Sequence, residues 1–148
     1  MDRVLLVLGG IVIAGAVAAL LGRRTAPPAA NTHHIPRQLD RRDFPRAEAP
    51  WLVAVFTSAT CATCAGVWDR ARHLESDQVA VVELELGAAA ALHERYKIDA
   101  VPTLVITDAT GEVRRAFLGP TTATDLWAAV AEVRDPGSVP PDCHTGEL

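Results

Sequence analysis

The feature that most constrains this chain is the run WLVAVFT, Trp51 to Thr57, followed within a few small polar residues by the pair Cys61 and Cys64. An uncharged run rich in β-branched and aromatic residues suits a strand covered on both faces rather than one with a wet side. Such a strand belongs inside an α/β sheet with helices packed on each face. The rest of the C-terminal half agrees. From Cys61 to Leu74, the residues Cys64, Val67, Trp68 and Ala71 share one helical stripe, with Ser58 or Thr60 placed to cap it. VAVVELE (Val79 to Glu85) reads as a second strand and Ala88 to Tyr96 as a helix. TLVIT (Thr103 to Thr107), a turn at DATG with Gly111, and EVRRAFL (Glu112 to Leu118) predict a hairpin. A last helix from Thr122 to Val133 opens on Thr122-x-x-Asp125, which approximates a capping box, and turns Leu126, Ala129, Val130 and Val133 to the sheet. This order predicts a mixed sheet flanked by helices, its first two strands parallel. Trp51, Trp68 and Trp127 read as core or near-core.

Ahead of this domain, Val4 to Gly22 is a stretch of nineteen uncharged residues, enough at about 1.5 Å per residue to cross a hydrocarbon layer of about 30 Å. It is longer than the apolar part of a usual secretion signal and lacks a clean small-residue cleavage site, so a single-pass membrane anchor is expected. Gly10, Ala14 and Ala18 give it a small-xxx-small row, attributable to its alanine content. In the three-residue flank (1–3) ahead of the span the only basic residue is Arg3, offset by Asp2, while Arg23, Arg24, Arg37 and Arg41 follow the span. The positive-inside rule then puts the C-terminal domain on the cytoplasmic face, with the opposite face as the alternative. Residues 23–49, rich in Pro, Arg and Ala, read as a flexible linker with one short strand near Gln38 to Asp40. His33 and His34 within it read as solvated side chains. The domain proper is expected over 50–134, and the proline-rich tail, 135–148, as disordered.

The 148 residues carry a net charge of −4, which offers no basic field for phosphate contacts and argues against a nucleic-acid partner. Three cysteines, an odd number, do not make a disulfide scaffold. Two cysteines three apart at a helix start place the first where the helix dipole favours a thiolate and the second one turn inward, able to resolve a mixed disulfide. Half of a zinc site and two incidental core thiols compete with this reading. Zinc needs a second ligand pair, for which only Cys143 and His144 in the tail are available, so no metal is expected.

Cys61-Ala62-Thr63-Cys64 after WLVAVF, together with Tyr96-x-Ile98-x-Ala100-Val101-Pro102-Thr103 before TLVIT, resembles the thioredoxin family over about residues 50 to 133. The resemblance implies a thioredoxin-like fold, a redox disulfide between Cys61 and Cys64, and a cis bond before Pro102. It also implies a substrate groove formed by Thr60, Val101, Pro102 and Gly119, with the Val101 backbone pairing with an extended substrate. Departures are as plain. Thr60 stands where the family has tryptophan, and Ala62-Thr63 where it has Gly-Pro. Val55 stands in place of a buried aspartate, and Glu83 in place of a lysine on the neighbouring strand. A half-buried Glu83 is therefore the candidate proton acceptor from Cys64.

The expected activity is thiol-disulfide exchange with protein thiols and disulfides, with no cofactor and with electrons passing to or from another protein. A non-catalytic thioredoxin-like binding or redox-sensing module is the alternative. Cys143 is a candidate third thiol.

Overall fold

The computed structural model describes residues 33–139. The expected membrane span at 4–22, its flanks, the first part of the linker, and Cys143 in the tail lie outside the described residues. Among those described, no helix is long and apolar enough to cross a membrane.

Four strands form one sheet in the order β2-β1-β3-β4: β1 (Trp51–Thr57), β2 (Val79–Glu85), β3 (Thr103–Thr107) and β4 (Val113–Leu118). β1 pairs parallel with β2 and antiparallel with β3, and β3 pairs antiparallel with β4. The apolar run of β1 divides by pleat, because successive side chains point to opposite faces. Val53 and Val55 join Leu104 and Ile106 under helices α1 (Cys64–Ala71) and α3 (Ala123–Arg134), against Val67 and Leu126. Leu52, Ala54 and Phe56 face the other way, toward Leu84 and Tyr96, beside helix α2 (Ala90–Arg95). Every residue from Leu52 to Phe56 is fully buried, so β1 is the floor of both cores.

Helix α3 is capped as its sequence suggests, the Thr122 hydroxyl accepting the Asp125 N–H at 3.1 Å. Its buried stripe is Leu126, Ala129 and Val130. Trp127, next to that stripe, is 52% exposed rather than core, since one residue along a helix turns the side chain about 100° away from the sheet.

The segment 33–49 differs more from expectation. Instead of a flexible linker it is a strap packed on the domain. Leu39 is fully buried and Phe44 and Ala49 nearly so, all in the core on the α2 side. Leu39 N–H donates to the Gly111 carbonyl at 2.8 Å, and Val113 N–H to that of Arg37 at 2.9 Å. A 3-10 turn at Arg41–Asp43 follows, and the buried Arg41 guanidinium donates to the carbonyls of Asp108 (2.9 Å) and Ala49 (3.0 Å). Tyr96 clasps the same strap to α2. Its hydroxyl accepts the Asp40 N–H at 3.0 Å and donates to the Asp43 carboxylate, while its ring stacks on Phe44. No local hydrophobic period announces such a segment, because single anchors in long-range contact hold it.

The strap leads to two expectations. Leu39→Ala should lose about 2–5 kcal/mol of unfolding free energy in urea titrations, the cost of a cavity in a sealed core; a loss under about 0.5 kcal/mol would mean that the strap is not part of the folded unit. The second concerns pH. Hydrogen bonds from the Arg42 side chain and backbone hold the Asp40 carboxyl down to about 2, and burial, reinforced by the bond to Asp43, pushes Tyr96 up to about 12. Asp40 is lowered, so the stability it lends is whole above its ordinary value of 3.8 and is lost as pH falls toward 2. Tyr96 is raised, so its share is whole below pH 10.0 and is lost as pH rises toward 12. Urea midpoints should drop at both extremes, with Asp40→Asn flattening the acid limb and Tyr96→Phe the alkaline one.

Candidate active site

Four chain segments meet at one end of the sheet. β1 runs into the turn that carries Cys61, β2 ends at Glu85, β3 begins just after Pro102, and β4 ends just before Gly119. This convergence follows from the pairing: β1 and β2 run the same way, and the antiparallel β3 starts where β1 stops.

Cys61 lies ahead of α1 rather than opening it. Residues 58–61 form a turn closed by the Cys61 N–H on the Ser58 carbonyl at 3.0 Å, and Cys64 N–H reaches the Cys61 carbonyl at 3.4 Å. The helix begins at Cys64, with Thr63 as its N-cap and no side-chain cap bond. The hydroxyls of Ser58 and Thr60 are instead 3.1 Å from each other. Turn geometry, not a shared helical face, brings the cysteine Cα atoms to 5.5 Å, and the two sulfurs are joined as a disulfide. Their exposure is unequal: Cys61 is half-buried, while Cys64 is 2% exposed beneath it. Cys61 stands just in front of the positive end of α1, where developing negative charge on sulfur is favoured. The Thr63 hydroxyl lies 3.8 Å from the Cys61 sulfur, a contact the sequence did not signal.

The Val101–Pro102 peptide bond is cis. Pro102 is buried and Val101 half-buried. Gly119 N–H donates to the Pro102 carbonyl at 2.8 Å, and the Thr103 hydroxyl to that of Ala100 at 2.7 Å. Gly119 has φ +87°, and a Cβ there would meet nothing within 4 Å, so its surface is open. Among the described residues, the Val101 amide and carbonyl pair with no other group. Thr60 is exposed beside the disulfide turn.

Glu83, the candidate proton acceptor, is exposed rather than half-buried as expected. It pairs in register with Val55, and its carboxylate accepts the Thr57 hydroxyl at 2.9 Å. The half-burial expected of it is missing, since β2 is an edge strand of the sheet. Glu85, two residues on, binds loop amides instead. His33 and His34 are exposed, as read from the sequence; His34 N–H donates to the Asp99 carboxylate at 3.1 Å. Among the described residues, no group of three or more His, Cys, Asp or Glu could hold a metal ion.

A four-stranded mixed sheet with a Cys-x-x-Cys disulfide at one end of its central strands, where the cis-proline loop also lies, defines a thioredoxin-fold protein with a dithiol centre, and this arrangement supports thiol-disulfide oxidoreductase chemistry. The family model of thioredoxin matches residues 42–132, more than half of the chain, which therefore belongs to the thioredoxin family. A mutant thioredoxin from Halobacterium salinarum is similar in structure, with a TM-score of 0.54 and 23% identity over 64% of this chain and 81% of that one. A thioredoxin-fold protein from Helicobacter pylori gives 0.51 and 14% over 66% and 84%. The germline-specific thioredoxin Deadhead of the fruit fly gives 0.51 and 21% over 59% and 84%. At these identities the likeness speaks for the fold. No curated protein matches the sequence.

The unequal burial has a direct consequence for the reduced protein. Iodoacetamide at neutral pH should modify Cys61 about tenfold or more faster than Cys64, as followed by peptide mass mapping. Equal rates would mean that the inner sulfur is not shielded.

Proposed function

We propose that the protein is a thiol-disulfide oxidoreductase tethered to the cell membrane by residues 4–22, with its folded domain on the cytoplasmic face. The observation that carries the catalytic part is the pairing of a reachable Cys61 with a sealed Cys64 beside the open Val101 backbone. In the reducing direction, the Cys61 thiolate attacks one sulfur of a substrate disulfide. A mixed disulfide forms and the other substrate sulfur leaves as a thiolate, which takes up a proton. Cys64, having lost its proton to solvent, attacks the Cys61 sulfur. The second substrate thiol departs and the Cys61–Cys64 disulfide remains. In the oxidising direction every step reverses. An electron-donor or electron-acceptor protein completes the cycle.

The substrates in this reading are protein thiols and disulfides. An extended substrate backbone would pair with Val101, with Thr60, Pro102 and Gly119 forming the walls of the groove. Thr60 in place of tryptophan narrows the apolar contact offered there. The tether and its orientation rest on the uncharged Val4 to Gly22 run and on the arginines after it.

A second reading, a thioredoxin-like binding or redox-sensing module, is favoured by one observation: Val55 occupies the place of the buried acid, and the exposed Glu83 does not replace it. Insulin reduction by the full chain in detergent, with dithiothreitol as the electron source, decides between them. Turnover above the uncatalysed rate, abolished by Cys61→Ser, is expected. Cys64→Ser should hold a partner as a mixed disulfide, and in cells the identity of that partner also reports the compartment. A wild-type protein without turnover would establish the binding module instead.

A further inference from the structure

Glu85 takes no part in the exchange steps above, yet its carboxylate reaches the turn that carries Cys61. Oε1 accepts the Ala59 N–H at 3.1 Å, and Oε2 accepts the Ala88 N–H at 3.1 Å. The two amides belong to different loops. Ala59 is two residues ahead of Cys61, and Ala88 lies in the connection from β2 to α2. Within the turn the bonds are internal: Cys61 N–H to the Ser58 carbonyl, and Thr60 N–H to the Ser58 hydroxyl at 3.4 Å. The turn is therefore tied to its neighbours by Glu85, alongside the backbone bond from Leu86 N–H to the Thr57 carbonyl at 2.9 Å.

The surroundings fit this duty. A Cβ at Gly87 would stand 2.8 Å from Glu85 Oε2, so a side chain there would require the carboxylate to shift. The N–H groups of Gly87 and Ala59, with help from Ala88, hold the Glu85 carboxyl below its ordinary value, which keeps it charged. Hydrogen bonds to a charged acceptor are about twice as strong as neutral ones.

We propose that Glu85 is a positioning residue for Cys61: by fixing the 58–61 turn it presents the Cys61 sulfur to Cys64 and so sets how readily the pair closes into a disulfide. Closing the pair costs the freedom of the turn, and a turn already held has less to lose. Glu83, on the same face of β2, binds only the Thr57 hydroxyl and leaves the turn amides untouched, so this role belongs to Glu85 alone of the two.

The proposal rests on Cys61 and Cys64 forming a reversible pair, and its test needs no turnover. The full chain is equilibrated with glutathione, in which protein dithiol and glutathione disulfide give protein disulfide and two glutathione thiols. The equilibrium constant is read by alkylation and mass mapping of Cys61 and Cys64. Glu85→Ala should lower it about three- to tenfold, the share of a charge-assisted bond felt by the closed form. Glu85→Gln, which keeps one acceptor oxygen, should fall between, and it decides the matter should the alanine variant fail to fold. Asp108→Ala is the control. That carboxylate accepts the Thr110 and Glu112 N–H groups at the far end of the sheet, so its loss should lower stability and leave the constant unchanged. A Glu85 variant within twofold of wild type, or an Asp108 control shifted as far, would overturn the proposal. Failure of the insulin assay would count against the oxidoreductase reading alone.

Discussion

Strand β1 cannot face water on either side, and the rest of the domain is arranged around that condition. Its residues from Leu52 to Phe56 are fully buried and alternate between two cores. Covering both faces requires helices α1 and α3 on one side and α2 with the strap on the other. Burying its backbone requires a partner along each edge, which β2 and β3 supply. Once β1 is enclosed in this way, its last residue has one direction left to go. It runs into the turn at Ser58, and the cysteines sit where that turn becomes a helix.

The site is thus an outcome of strand direction. Parallel β2 and antiparallel β3 bring a strand end and a strand beginning to the same rim, so the disulfide, the Pro102 loop and Gly119 converge although they lie far apart in sequence. Burial then divides the labour between two chemically identical thiols. The inner one, the first residue of α1, is sealed from solvent, and the outer one, half-buried in the preceding turn, can be reached by an approaching chain. Exposure thus adds to the helix dipole in making the outer thiol the preferred nucleophile.

Much of this was legible in the sequence where a local pattern carries it. The uncharged β1 run, the boundaries of β2 at Val79 and Glu85, the turn at Asp108 to Gly111 and the Thr122 cap each depend on residues close together in the chain. The strap did not announce itself. Arg41 and Asp40 look like solvated linker residues until their partners, the Asp108 carbonyl and the Tyr96 hydroxyl, are seen, and those partners are more than fifty residues away. The start of α1 was misplaced for a related reason: Ser58 and Thr60 look like caps, but their hydroxyls satisfy each other. Between Glu83 and Glu85, identical in type and two apart, the pattern cannot choose. One faces solvent and a threonine, and the other finds two loop amides.

The bonding of Arg37 and Leu39 to the stretch from Gly111 to Val113, which leads into β4, carries one more consequence. β4 is the outermost strand, and an open strand rim invites a second chain to add to it. Here the chain shields part of its own border: Leu39 and Arg37 occupy the Gly111 to Val113 stretch, and Pro36, with no amide hydrogen, ends the ladder. The family match begins at residue 42, after these residues. A domain cut at that boundary would lose a core leucine and uncover the backbone between Gly111 and Val113.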